Sequence, residues 1–163
     1  MDVARDIRII KEQESRLAFA TFNEKEAFKL GSLIREKAIS EGLGIVIDIR
    51  TWDRPLFYSA TAGSTGSNPE WARRKSNLVR RFHKSSYRVV LELAREDKTF
   101  PQNWALDQAE YALAGGGFPL TIGDVGVIGS IAVSGLPERE DHQLITRSLA
   151  EHLMVPVDCL SKK

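Results

Sequence analysis

One stretch constrains this chain more than any other. It runs from Gly115 to His142 and reads Gly-Gly-Gly-Phe-Pro-Leu-Thr-Ile-Gly-Asp-Val-Gly-Val-Ile-Gly-Ser-Ile-Ala-Val-Ser-Gly-Leu-Pro-Glu-Arg-Glu-Asp-His. Two apolar runs, Phe118–Ile122 and Val125–Val133, flank Gly123-Asp124. A two-residue loop with glycine first suits a type II′ turn between antiparallel strands. The second run is β-branched and nearly continuous, which predicts a strand buried on both faces. Gly126 and Gly129 interrupt it, and glycine inside a strand marks a bulge or the close approach of another backbone. Gly115–Gly117 supplies a sharp entry. Pro137 opens a helix at a position that tolerates a missing N–H, and Glu138, Glu140 and Asp141 load its first turn with the charge the helix dipole favours.

The remaining segments follow from periodicity and caps. Val3–Leu17 carries Ile7, Ile10 and Leu17 on a helical stripe, and Leu17–Thr21 reads as a short strand. Thr21 with Glu24, or Asn23 with Glu26, forms a capping box for a helix that runs to about Glu41 with Ala27, Leu30, Ile34 and Ala38 inward. Ile45–Arg50 alternates, with three isoleucines on one face and Val46, Asp48 and Arg50 on the solvent side, and Leu56–Thr61 returns beside it. Pro69–Lys84, with Asn68 as cap, is predicted helical, as are Tyr87–Arg95, Trp104–Ala114 and Pro137–Met154. Hairpins separated by helices imply an α+β fold, an antiparallel sheet of about five strands covered by helices, in a single domain over residues 1–163. A length of 163 residues suits such a core.

Composition narrows the function classes. The net charge is +1, so the overall balance does not call for nucleic acid or an acidic membrane. The single cysteine, Cys159, excludes an internal disulfide framework. No apolar run approaches the ~20 residues that span a membrane, and the N-terminus has no secretory pattern. The expectation is a cytoplasmic protein with a loosely ordered tail after Val157.

The hairpin stretch resembles the haem-degrading-domain superfamily, the GlcG and HbpS-like proteins. The shared pattern is Gly116-Gly117-Phe118-Pro119-Leu120, then Gly126-Val127-Ile128-Gly129-Ser130-Ile131-Ala132-Val133-Ser134-Gly135, then Asp141. The Gly-Gly-x-Phe-Pro form and the Ser-Gly-Leu-Pro…Asp-His ending are most similar to a branch of largely uncharacterised proteins, as are Trp71 with Lys75 and Ser85-Ser86-Tyr87. The resemblance runs from about Asp6 to Leu153. It implies a profilin-like sheet, haem or tetrapyrrole as a candidate cofactor, and assembly into a homo-oligomer.

Candidate chemistry is sparse. The glycines 123, 126 and 129 lie in and before a strand rather than at a helix N-terminus, so they do not form a dinucleotide fingerprint. No Gly-x-Ser-x-Gly elbow occurs. Ser134, Asp141 and His142 invite a triad reading, but neighbours on a helix point about 100° apart, so Asp141 is poorly placed to orient His142. The spacing of His83, His142 and His152 fits no zinc motif, although one histidine suffices as an axial haem ligand. Arg73, Arg74, Lys75, Arg80, Arg81 and Lys84 lie on one predicted helix, where positions 73, 77, 80, 81 and 84 share a face opposite the stripe that carries Trp71, Lys75, Leu78 and Phe82. Such a face reads either as solvated or as a site for an anionic ligand or an acidic protein partner. The candidate ligand-binding residues are Trp71, Lys75, Arg81, His83, Asp141 and His142, with no metal site and no recognisable catalytic set. Three functions stand open: an oligomeric binding or adaptor protein, a haem-binding or haem-degrading protein, and an enzyme acting on a small anionic substrate.

Overall fold

A computed structural model describes residues 2–160. Five helices and four strands follow in the order α1 (Val3–Arg16), α2 (Glu24–Ser40), β1 (Val46–Thr51), β2 (Pro55–Ala60), α3 (Ser67–Phe82), α4 (Ser86–Leu93), β3 (Gly117–Ile122), β4 (Gly126–Ser134) and α5 (Glu138–Leu153), with a 3-10 turn at Gln102–Trp104 between α4 and β3. The strands form one antiparallel sheet in the order β2-β1-β4-β3. The α+β expectation holds, but the sheet has four strands rather than five. Leu17–Thr21 contributes a single bridge instead of a strand: the Phe19 N–H donates to the Thr121 carbonyl, and the Phe19 carbonyl accepts from Gly123. Leu17 still caps α1, and Asn23 already caps α2 with its side chain on the Glu26 N–H. Too few residues lie between those caps to pair further.

The sheet is covered on both faces. Ile45, Ile47, Ile49, Phe118, Leu120, Ile131 and Val133 pack with Leu30 and Ile34 of α2 and with Leu144, Ile145 and Leu149 of α5. The opposite face presents Val46 and Ala132 to Ala72 of α3. The face of β1 expected to meet solvent is therefore largely covered. Asp48 is buried there and accepts from the Arg50 guanidinium at 2.8 and 2.6 Å. A third cluster joins Ile9 and Ile10 of α1 to Tyr87, Val89 and Val90 of α4, with Leu78 and Leu113.

The hairpin forms between the expected strands with a different turn. Its loop has three residues, closed by the Val125 N–H on the Ile122 carbonyl at 3.0 Å, and Ile122 pairs with Gly126. The positive φ falls at Gly126 (109°), the first residue of β4, and not at Gly123. The register then shifts between Leu120 and Thr121. Ser130–Ser134 is fully buried, as the apolar run predicts. Gly129 lies opposite Thr51, and a Cβ there would stand 1.9 Å from the Arg50 carbonyl oxygen.

The expected helix Trp104–Ala114 is absent beyond the 3-10 turn. Ala105 takes a left-handed conformation, and α3 captures the carbonyls that a helix would need. Arg74 donates to the Gln108 carbonyl at 3.1 Å, Arg73 to Ala109 at 2.9 Å, and Asn77 to Glu110 at 2.8 Å. The chain after Val157 is docked as far as Leu160: Gln13 donates to the Asp158 carbonyl, and Leu160 is buried. Residues 161–163 of that tail lie outside the described residues.

Candidate functional site

Three elements converge beside the glycine run: α3 from one face of the sheet, α5 from the other, and the end of β4 between them. Lys75 on α3 sits on its inward stripe with Ala72, Ser76, Leu78 and Val79. The lysine is 3% exposed, and Asp141 in the first turn of α5 is 1% exposed. Lys75 Nζ donates to Asp141 Oδ2 at 2.7 Å and to the Val133 carbonyl at 3.0 Å. Asp141 Oδ1 accepts the Leu136 N–H at 3.0 Å. The pair exists because Gly116 has no side chain. With φ 110°, a Cβ there would stand 2.5 Å from the Val133 oxygen and 2.8 Å from both Lys75 Nζ and Asp141 Cβ. The glycine entry of the hairpin thus leaves room for a buried ion pair as well as for a turn.

Burial shifts both partners. It lowers the lysine's affinity for its proton, against the opposing pull of Asp141. It raises the Asp141 carboxyl to about 6, against Lys75 and the backbone N–H groups of Leu136 and Gly135. The pair forms the floor of a cleft of about 300 Å³, whose walls include Asn68, Trp71, Ser134 and Glu138. Trp71 is 40% exposed, with the Arg74 guanidinium 4.2 Å from its ring centroid. Asn68 donates to the Ser134 hydroxyl at 3.4 Å. Glu138 is occupied by Lys98 at 2.8 Å and by the Gly115 N–H at 3.2 Å.

The structure therefore brings together Trp71, Lys75 and Asp141, and does not add Arg81, His83 or His142 to them. Arg81 and His83 are exposed near the other end of α3, with His83 in a left-handed conformation at its C-cap. Eight residues separate Lys75 from His83, about 12 Å along a helix axis. His142 is fully buried and turned toward α1, where its Nε2 lies 2.9 Å from Gln13 Oε1. Its ring packs between Tyr87 and Phe118, with centroids 5.5 and 5.9 Å away. The basic face of α3 is mostly engaged within the chain. Arg73 pairs with Glu70 and Glu110, Arg80 lies over Trp52, and Lys84 meets Glu92. The proposed Trp71/Leu78/Phe82 stripe is split: Leu78 is buried, Trp71 is exposed, and Phe82 packs on Trp104 at 4.8 Å.

Sequence reasoning missed Arg139 and Asp6. Arg139 donates to Asp6 Oδ2 at 2.8 Å and to the Tyr87 hydroxyl at 3.3 Å, tying α5 to α1 and α4. The partners are 133 positions apart, so no local spacing signals the contact. Among the described residues, no group of three or more His, Cys, Asp or Glu side chains is placed to hold a metal. None of the described helices is long and apolar enough to cross a membrane.

Comparison with known proteins follows the same outline. The family model described as haem degrading protein HbpS-like matches residues 22–150, bearing out the resemblance carried by the hairpin. A UPF0303 protein of Mesorhizobium japonicum is 58% identical over 153 residues, covering 94% of this chain and 92% of its own length. A UPF0303 protein of Brucella canis is 58% identical over 144 residues, covering 88% of this chain and 85% of its own. Among solved structures, the Ybr137w protein superposes with a TM-score of 0.82 at 26% identity, covering 92% of each chain. A PduOC:haem complex gives 0.66 at 16% identity over 80% of this chain and 94% of that one, a likeness of fold.

The buried imidazole generates a pH prediction. Burial, then the Arg139 charge, lowers His142 from 6.5 to about 3, against Asp6. Between those values the unfolded chain binds the proton and the folded chain does not, so the histidine's contribution to stability falls as pH falls through that window. Asp141 has the opposite sign, because the folded carboxyl holds a proton that the unfolded one releases between about 6 and 3.8. Comparing wild type with His142→Gln by urea unfolding isolates the histidine. The expected outcome is that acidification from neutral pH destabilises wild type more than the variant. A pH-independent difference would contradict a neutral buried ring.

Proposed function

We propose that this chain, which belongs to the HbpS-like family of haem-degrading proteins, is a binding protein whose small ligand occupies the cleft beside Trp71. One observation carries the reading: a half-exposed indole, braced by Arg74, forms a wall over a polar floor made by Lys75 and Asp141. An aromatic face beside a few fixed polar groups is the usual composition of a small-molecule site. The charges favour an uncharged polar ligand over an anion, because Lys75 is neutralised by Asp141, and Glu138 by Lys98.

Haem is the second reading, favoured by the family's description and by the haem in the PduOC structure. The cleft does not fit an axially ligated haem, since its lining includes no histidine, cysteine, methionine or tyrosine. His142 is sealed in the core, which leaves His83 as the exposed imidazole. Non-denaturing mass spectrometry of the untreated protein tests the cleft. The expected result is a retained small molecule that Trp71→Ala loses, with added haemin giving no saturable Soret shift. A bare wild-type mass, together with a saturable shift abolished by His83→Ala, would overturn the cleft reading in favour of haem.

A homo-oligomer is part of the same proposal. Strand β2 is an edge of the sheet, and Tyr58 on it and Phe28 on the neighbouring α2 are both largely exposed. Open edges with exposed aromatics need cover, which a symmetric second copy provides. Light scattering should give a mass of at least a dimer that falls in Tyr58→Lys and is unchanged in Arg81→Glu. A steady monomer mass across concentrations would refute the assembly.

A further inference from the structure

We propose that Lys75 condenses with the carbonyl group of a small uncharged aldehyde or ketone held in this cleft, with Asp141 carrying the proton. The inference rests on the cleft being the ligand site. Its geometric basis is the placement of Nζ. The lysine lines the cleft, and its nitrogen is held by two acceptors, Asp141 Oδ2 at 2.7 Å and the Val133 carbonyl at 3.0 Å. An ammonium has three protons, so one position on the nitrogen is left over by these two partners. Gly116 places no Cβ on Nζ, where one would stand 2.8 Å away. The carboxylate that could take the proton is in direct contact, and its other oxygen is fixed by the Leu136 N–H. Trp71 can cover the face of a planar carbonyl compound, while Asn68 and Ser134 offer hydrogen bonds to its hydroxyl groups. The paired charges of the cleft favour an uncharged molecule.

The step balances with no further reactant. The Lys75 ammonium gives one proton to Asp141 Oδ2, freeing the nitrogen lone pair. That pair forms the C–N bond as the carbonyl π electrons move to oxygen. The oxygen takes a proton from the nitrogen to give a carbinolamine. Asp141 returns its proton to the hydroxyl, which leaves as water as the nitrogen lone pair closes the C=N bond. The products are a protonated imine on Lys75, a carboxylate on Asp141 and one water. Burial supports the first transfer, because it weakens the amine's hold on its proton and raises Asp141 to about 6. Lysine desolvated in this way is a recognised route to an amine nucleophile.

The test uses the whole wild-type chain. Glycolaldehyde or dihydroxyacetone is added at low concentration near neutral pH with cyanoborohydride, which reduces an imine to a stable amine. Peptide mapping then locates the adduct. Lys75 should be labelled roughly tenfold or more faster than the exposed Lys11 and Lys25. Asp141→Asn should slow labelling at Lys75 and leave Lys11 and Lys25 unchanged. Trp71 fluorescence, read in a chain with Trp52 and Trp104 replaced by phenylalanine, reports binding separately. Labelling confined to exposed lysines, with Trp71 still responding to the carbonyl compound, would overturn the condensation and leave cleft binding standing. Neither labelling at Lys75 nor a Trp71 response would overturn both.

Discussion

The buried ion pair between Lys75 and Asp141 is the contact on which the arrangement of layers depends. Its two partners come from helices on opposite faces of the sheet, and it meets the sheet itself at the Val133 carbonyl. A charge removed from water is costly, and an ion pair recovers that cost only when its hydrogen bonds are satisfied. Here Lys75 has two acceptors, and Asp141 has the lysine on one oxygen and the Leu136 N–H on the other. Such a pair stabilises little by comparison with a well-packed apolar substitute, but it fixes how its surroundings must meet. The glycine run is part of the same constraint. Gly115 would press a Cβ to 2.4 Å from the Glu138 carbonyl oxygen, and Gly116 would press one into the pair itself.

The first turn of α5 extends this clasp to the rest of the molecule. Arg139 reaches Asp6 of α1 and Tyr87 of α4, Asp141 reaches Lys75 of α3, and His142 reaches Gln13 of α1. Three buried polar side chains within four residues thus engage three other helices. One of these contacts, Lys75 with Asp141, forms the floor of the cleft, which is why that floor is polar although both side chains are buried. The arginines of α3 do a related task on the other side. Together with Asn77 they hold residues 108–110 as an irregular loop by taking its carbonyls, and that loop delivers the chain to the glycine run.

Much of this outline was legible in the sequence. The alternation of Ile45, Ile47 and Ile49, the caps of α2 and the apolar hairpin runs gave the α+β layers because each follows from a local period. The family resemblance followed from the same hairpin. What failed was what local patterns do not encode. The segment Trp104–Ala114 has helical composition, but distant guanidinium groups compete for its backbone carbonyls. Asp48 alternates correctly for solvent, but α3 covers that face. Asp141 has a sufficient explanation in the helix dipole, which hid its partner 66 positions earlier. Of the candidate site residues, Trp71, Lys75 and Asp141 meet in one cleft. His142 was singled out for its chemistry, but a ring with no exposure serves packing and a hydrogen bond to Gln13.

A double-mutant cycle on the ion pair tests the central claim most directly. Lys75→Met leaves a buried carboxylate without its cation, and Asp141→Leu leaves a buried ammonium without its anion. Each single change is expected to cost about 3–5 kcal/mol of unfolding free energy, the usual penalty for orphaning a buried charge. The double change removes both charges and should recover most of that loss, giving a large favourable coupling. Single changes that cost little, or that simply add in the double variant, would show that the two helices are joined by something other than this pair.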